Sequence, residues 1–237
     1  MKYRVLLVVI LMMLAGAGCA APPPPLPVDE LSHYFPLASG AYWVYQGQVQ
    51  WTEDSTVKED TVTWKMEVVE VVRRDHVVGY RLKGHPGDLA WYEPGQSPGD
   101  SVIIQVGPTR YYQSSPEALA RLKDPDDFLL ELVDESQLFL DAPLIPGELF
   151  GETGQTTRPD TSYCWVVTGV QPAQLDNIPG VTGSIARSQY TLIFQSRPDQ
   201  QTVEFVPGVG ITRFAYSHHG TVAEADVKLI EYHAGTE

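Results

Sequence analysis

Two hydrophobic patterns divide the chain. Val5 to Leu14 is an unbroken run of ten apolar residues, whereas much of the chain beyond Tyr34 alternates apolar and polar positions. A period of two puts successive side chains on opposite faces of a β-strand. In Tyr42 to Trp51 the odd positions are Trp43, Tyr45, Gly47, Val49 and Trp51, with Gln46, Gln48 and Gln50 opposite. Thr61 to Val68 repeats the pattern, with Val62, Trp64, Met66 and Val68 on one face. Val78, Tyr80 and Leu82 then alternate with Gly79, Arg81 and Lys83. Three such strands with short polar connections predict an antiparallel meander with one solvated face.

The same reading places strands at Leu89 to Glu93, Ser101 to Val106, Thr109 to Gln113, Tyr163 to Gln171, Gln189 to Gln195, Thr202 to Val206, Ile211 to His218 and Thr221 to Tyr232. That makes about ten or eleven strands, with His219-Gly220 as a tight turn between the last two. One helix is expected from Ser115 as N-cap and Pro116 at the first helical position, ending after Lys123 at Asp124-Pro125. Asp126 to Asp134 offers a second short helix. The fold class expected is therefore mainly β, a curved antiparallel sheet or open β-barrel, with a partly helical insertion over about 114–162. A weak internal echo relates Pro36-Leu37-x-x-Gly40-x-x-Trp43 to Pro143-Leu144-x-x-Gly147-x-x-Phe150, four matched positions in eight, which coincidence explains equally well.

Lys2 and Arg4 precede the apolar run, and the small residues Ala15-Gly16-Ala17-Gly18 follow it, the arrangement of a secretory signal peptide. Ten to thirteen residues at about 1.5 Å each fall short of a hydrocarbon core of about 30 Å, and no later apolar stretch is as long. The segment Ala15-Gly16-Ala17-Gly18-Cys19 resembles a bacterial lipobox, departing from it in having Gly16 where an aliphatic residue is usual. The resemblance implies that Cys19 carries a diacylglyceryl group and becomes the mature N-terminus. The alternative is ordinary cleavage after Ala17, which leaves Cys19 as a free thiol. Ala20 to Pro27 holds five prolines in eight residues, a semi-rigid polyproline II spacer of the kind that holds a folded unit away from a bilayer. The expected organisation is a lipoprotein signal peptide at 1–18, an acylated cysteine and proline-rich spacer at 19–29, and one β-rich domain at 30–237.

Charge sharpens the picture of partners. The chain carries 16 basic and 30 acidic residues, a formal charge of −14. Removing 1–18 takes away Lys2 and Arg4 and no acid, leaving a charge of −16. Such a surface repels nucleic acid and anionic lipid, so attachment to a membrane falls to acyl chains. The second of the two cysteines, Cys164, lies in the apolar run Tyr163 to Thr168 and is expected as a small buried hydrophobe.

Tyr34-Phe35-Pro36-Leu37-Ala38-Ser39-Gly40-Ala41-Tyr42-Trp43-Val44-Tyr45 and Pro207-Gly208-Val209-Gly210-Ile211-Thr212-Arg213 together resemble a group of uncharacterised bacterial lipoproteins. Members start after the lipid anchor with a YFPLxxGxxWxY segment and close with PGVG and a β-hairpin. The resemblance implies an extracytoplasmic, lipid-anchored β-protein with a curved antiparallel sheet, similar to the open half-barrels that carry lipoproteins or lipids in bacterial envelopes. It brings no catalytic residue. Read physically, the shared positions are architectural: Gly40 opens the first strand, Trp43 and Tyr45 anchor a core, and Gly208 and Gly210 permit a tight bend.

Chemistry has few candidates. No nucleophile elbow, zinc helix, phosphate loop or calcium loop occurs in the sequence. His218, His219, Glu224, Asp226 and His233 form the best metal grouping, but a solvated hairpin tip accounts for them more simply, so neither metal nor cofactor is expected. Asp124, Asp126, Asp127 and Glu131 lack the ordered spacing of a calcium site. The remaining candidates are inward aromatics, Trp43, Tyr45, Trp51, Trp64 and Tyr80, which form an ordinary core or line a cavity for an apolar ligand. The leading expectation is a non-catalytic binding module for an apolar ligand or envelope protein. A structural lipoprotein with a filled core stands second and an extracytoplasmic hydrolase third.

Overall fold

The structure is a computed structural model that describes residues 34–134, 137–181, 187–220 and 222–236. The signal peptide, Cys19 and the proline spacer lie outside the described residues. Among the described residues, twelve strands form one antiparallel sheet. The first six are β1 (Tyr42–Glu53), β2 (Thr56–Arg74), β3 (Val77–Lys83), β4 (Asp100–Val106), β5 (Arg110–Ser114) and β6 (Gln137–Asp141). The second six are β7 (Leu149–Phe150), β8 (Trp165–Pro172), β9 (Ser188–Gln195), β10 (Asp199–Val206), β11 (Gly210–His218) and β12 (Glu224–His233). Their order in space is β6-β5-β4-β3-β2-β1-β12-β11-β10-β9-β8-β7.

Each half is thus a six-stranded meander, and the halves join where β1 pairs with β12, with Tyr42 opposite His233 and Gln50 opposite Glu224. The internal echo falls at matching places, leading into the first strand of each half, and Gly40 and Gly147 both take positive φ there, 74° and 89°. Five register shifts interrupt the ladders, at Val44/Tyr45, Val68/Glu70, Tyr111/Tyr112, Val167/Gly169 and Glu204/Phe205. An extra residue on one strand bends it and increases its twist. The sheet accordingly curls into a nearly closed barrel in which the edges β6 and β7 approach each other. Side chains close the seam, with Phe139 of β6 edge-on to Trp165 of β8 at 5.5 Å between ring centroids.

β2 runs well beyond the expected Thr61 to Val68. Its first residues, Thr56 to Asp60, are exposed on both faces and are held by backbone pairing with Val49 to Glu53 rather than by burial. The expected strand at Leu89 to Glu93 is instead a 3₁₀ turn, Pro86–Trp91. Pro86 starts it and the His85 ring accepts a bond from Gly87 N at 3.1 Å. Three consecutive apolar residues, Leu89 to Trp91, cannot share one face of a strand; here Leu89 is fully buried and Trp91 reaches 4.7 Å from the His218 ring.

The insertion contains α1 (Ala118–Lys123), α2 (Leu129–Asp134), α3 (Thr153–Thr156) and, beyond the expected helices, the two short edge strands β6 and β7. α1 stops after Lys123 as expected. Leu119, Leu122 and Leu132 cover Val77, Val102 and Ile104 on the outer face of β3 and β4. Gly79 makes this possible, because a Cβ there would stand 2.6 Å and 2.7 Å from the Leu119 and Leu122 methyls. The main core lies inside the barrel and joins both halves, from Trp64 and Leu82 to Leu192 and Phe214.

Candidate functional site

One end of the barrel gathers the start of β1, the β2–β3 hairpin, the β4–β5 and β10–β11 turns and the end of β12. The chain enters this end at Tyr34 and dives inward. Tyr34 and Phe35 are buried; Tyr34 is tied to the second half and to the connection between the halves, and Phe35 to strands of both halves. Tyr34 O accepts a bond from Gly208 N at 3.0 Å, its hydroxyl accepts from Leu144 N at 3.0 Å, and its ring stacks on Phe205. Phe35 N donates to the Tyr111 hydroxyl at 3.4 Å, and its ring packs against Trp43, Tyr111 and Phe205.

The two sequence segments that carry the resemblance, about 170 residues apart, therefore interlock. Trp43 Nε1 donates to Val209 O at 2.6 Å, and the Tyr45 hydroxyl donates to Ile211 O at 3.1 Å. Gly210 has φ 98° and no side chain where a Cβ would sit 2.8 Å from the Phe35 ring. Burial raises the phenols of Tyr34, Tyr45 and Tyr111 far above the ordinary tyrosine range, so these hydroxyls stay protonated hydrogen-bonding groups.

Beside this plug lies a cleft of about 750 Å³. Its apolar walls come from Phe35 and Leu37 of the plug, Val71, Val78 and Tyr80 of the β2–β3 hairpin, and Tyr232 at the end of β12. Ser39 and Thr236 border it, and Gln105 is buried at its base. The Tyr80 hydroxyl donates to Gln105 Oε1 at 2.8 Å and Gln105 Nε2 donates to the Tyr111 hydroxyl at 3.3 Å, so the polar groups of the base satisfy one another. Among the described residues lining the cleft, Arg73 is the one that carries a charge. Burial raises the Tyr80 phenol, and the adjacent Arg73 guanidinium opposes that shift.

The five aromatics expected from sequence do not form one lining. Tyr80 borders the cleft. Trp43 and Tyr45 are fully buried beneath the plug, and Trp64 donates its indole N–H to Gly84 O at 3.0 Å. Trp51 lies far along β1 against Tyr92, 5.5 Å between rings. The lining residues that sequence alternation missed are explained by the register shift between Val68 and Glu70. Before it, even-numbered residues of β2 face inward; after it, Val71 and Arg73 do, opposite Tyr80 and Val78.

At the opposite end, Asp199 Oδ1 accepts from the Tyr216 hydroxyl at 2.6 Å and meets His218 Nδ1 at 2.8 Å, while Ser196 Oγ bonds Oδ2. Burial pushes the Asp199 carboxyl up, but the bonds from His218, Tyr216 and Ser196 together hold it below its ordinary value. Among the described residues, no hydroxyl or thiol bonds the other ring nitrogen of His218. His233 stacks on Tyr42 at the cleft end, which separates it from His218 by the length of β12. In the acidic run Asp124 to Glu131, Asp127 is paired with Arg121 at 2.9 Å, and Arg74 donates to the carbonyls of Asp124, Pro125 and Asp127. Cys164 is buried with its Sγ 3.3 Å from Thr161 O, and burial raises its thiol pKa. No helix among the described residues is long and apolar enough to cross a membrane.

No protein-family model matches the chain, and no curated protein matches its sequence. Two crystal structures are similar in shape. One is a protein of Parabacteroides distasonis provisionally designated a lipoprotein, 13% identical, with a TM-score of 0.43, covering 85% of this chain and 98% of its own. The other is a provisionally designated exported protein of Bacteroides fragilis with a YmcC-like fold, 10% identical, with a TM-score of 0.41, covering 85% of this chain and 99% of its own.

Proposed function

We propose that the protein is an extracytoplasmic lipoprotein, anchored through an acylated Cys19, that binds an apolar ligand in the cleft beside Tyr34–Leu37. The observation that carries the binding role is an open, largely apolar cleft of about 750 Å³, a size typical of small-molecule sites, in an otherwise densely filled barrel. The anchor rests on the signal-peptide pattern, the lipobox resemblance and the proline spacer. Fourteen residues lie between Cys19 and Tyr34. The cleft lies at the end of the barrel where the described chain enters at Tyr34.

The filled interior favours a second reading, a structural or assembly lipoprotein without a ligand. Native mass spectrometry of the full chain purified from its own membrane separates the two. A co-purifying apolar molecule is the result expected, and its repeated absence would leave the structural reading. The anchor is tested by Cys19→Ala, which should abolish labelling by radioactive palmitate and release the protein from the membrane fraction. Unchanged labelling and fractionation would sink the anchor.

A further inference from the structure

We infer that the cleft ligand is a single-chain amphiphile whose anionic head group pairs with Arg73. This deepens the binding role proposed above and rests on it. The guanidinium stands at the rim of an otherwise uncharged lining and has no carboxylate partner among the described residues. In a cleft whose other lining residues are uncharged, this guanidinium sets a local positive potential. Arg74, the next residue along, is by contrast fully engaged in holding the Asp124–Asp127 loop to the sheet. The bland account of Arg73 is a solvated hairpin tip resting on Tyr80. It leaves unexplained why the register shift in β2 turns this residue, together with Val71, toward the cleft.

The arrangement suits an amphiphile: Val71, Val78, Phe35 and Leu37 for a hydrocarbon chain, and a planar fork of donors at the mouth for a carboxylate or phosphate. Volume decides between one chain and two. At about 30 Å³ per heavy atom, the share that a water molecule takes in the liquid, the cleft holds roughly 25 atoms. A long-chain acyl carboxylate of about 20 heavy atoms fits this space, whereas a diacyl phospholipid of about 50 exceeds it by a factor of two. Both a free fatty acid and a lysophospholipid share the required chemistry, one chain and one anionic head.

The test uses the full acylated chain in phosphatidylcholine vesicles and a palmitate analogue carrying a photoactivatable diazirine. Cross-links should map to Phe35–Ser39, Val71–Tyr80 or Tyr232–Thr236. Arg73→Gln should reduce labelling at least about tenfold, the loss expected for one charge-assisted contact, and Arg73→Lys should restore part of it. Arg73 is exposed, so the variants should keep the wild-type circular dichroism and melting temperature. Protection by unlabelled palmitate ahead of lysophosphatidylglycerol assigns a carboxylate head, and the reverse order a phosphate; both support the proposal. If the uncharged methyl ester labels the cleft as well as the acid, and Arg73→Gln does not change the yield, the anionic head is overturned while an apolar ligand survives. If neither probe labels the cleft, both readings fail.

Discussion

The contact between Phe35 and Gly210 offers a quantitative test of the plug. Phe35 is 2% exposed and packs on three aromatic rings, at 5.4 Å from Phe205 and 6.0 Å from Trp43 and Tyr111. Removing a buried phenyl ring costs about 3–5 kcal/mol, so Phe35→Ala should lower the melting temperature by roughly 6–20 °C in a chain of this size. Gly210→Ala should be destabilising for two separable reasons. Its φ of 98° strains any side chain, at a cost of about 1–2 kcal/mol, and its new Cβ would stand 2.8 Å and 3.1 Å from Phe35 ring carbons. The ring is held on the other sides by Trp43, Tyr111 and Phe205 and has little room to retreat. In the double variant the clash is gone while the backbone strain remains. The two single effects should therefore exceed the double effect by about 1–3 kcal/mol, measured as a double-mutant cycle by urea denaturation. Phe128→Ala, at a ring 71% exposed, is the control and should stay within about 0.5 kcal/mol of wild type. Additive effects of Phe35→Ala and Gly210→Ala, or a Phe35→Ala cost no larger than the control's, would refute the interlock.

Other consequences can be checked on the same protein. Trp43→Phe removes the indole bond to Val209 O and leaves a buried carbonyl unpaired, which should cost about 1–3 kcal/mol in denaturant titrations, against under 1 kcal/mol for the exposed Trp91→Phe. His85 is buried, with its Nε2 unpartnered among the described residues, and burial depresses its pKa from 6.5 to about 4. Between those values the unfolded chain binds a proton that the folded chain does not, so stability falls as pH drops from 6.5 to 4. The loss amounts to about 3 kcal/mol. His85→Gln should lack this part of the pH dependence, and identical pH profiles for the two proteins would show that His85 charges in place.

Alternation alone located most of the strands, because one face of each is solvated and the other buried. Trp43 and Tyr45 announced themselves in this way, as did Trp64 and Tyr80. It failed in three kinds of place. Where a strand is held by ladder bonds with both faces wet, as at Thr56 to Asp60, no pattern is written in the residues. Where a register shift changes the phase, as between Val68 and Glu70, the pattern assigns the wrong face and hides Arg73 from the site. Where short strands lie among turns and helices, as at Leu149–Phe150, two residues carry no period at all. The closeness of Tyr34–Tyr45 and Pro207–Arg213 was not legible either, since the pairing of β1 with β12 depends on the curl of the whole sheet. Their composition of aromatics on one side and glycines on the other is what such an interlock requires.

The binding role is tested most directly by what the protein carries out of its own membrane. Val78 faces the cleft opposite Arg73, and Val78→Trp adds seven heavy atoms, which at about 30 Å³ each cuts the room from roughly 25 atoms to roughly 18, short of the about 20 of a long-chain acyl carboxylate, while leaving the Tyr34–Leu37 plug in place. Organic extraction of the full chain and of this variant, purified side by side, followed by quantification of extracted acyl species per mole of protein, reports occupancy of the cleft. A near-stoichiometric acyl species in the wild type, depleted in a Val78→Trp protein of unchanged melting temperature, is the result predicted. Equal amounts in both proteins, or none in either, would contradict a ligand-binding cleft.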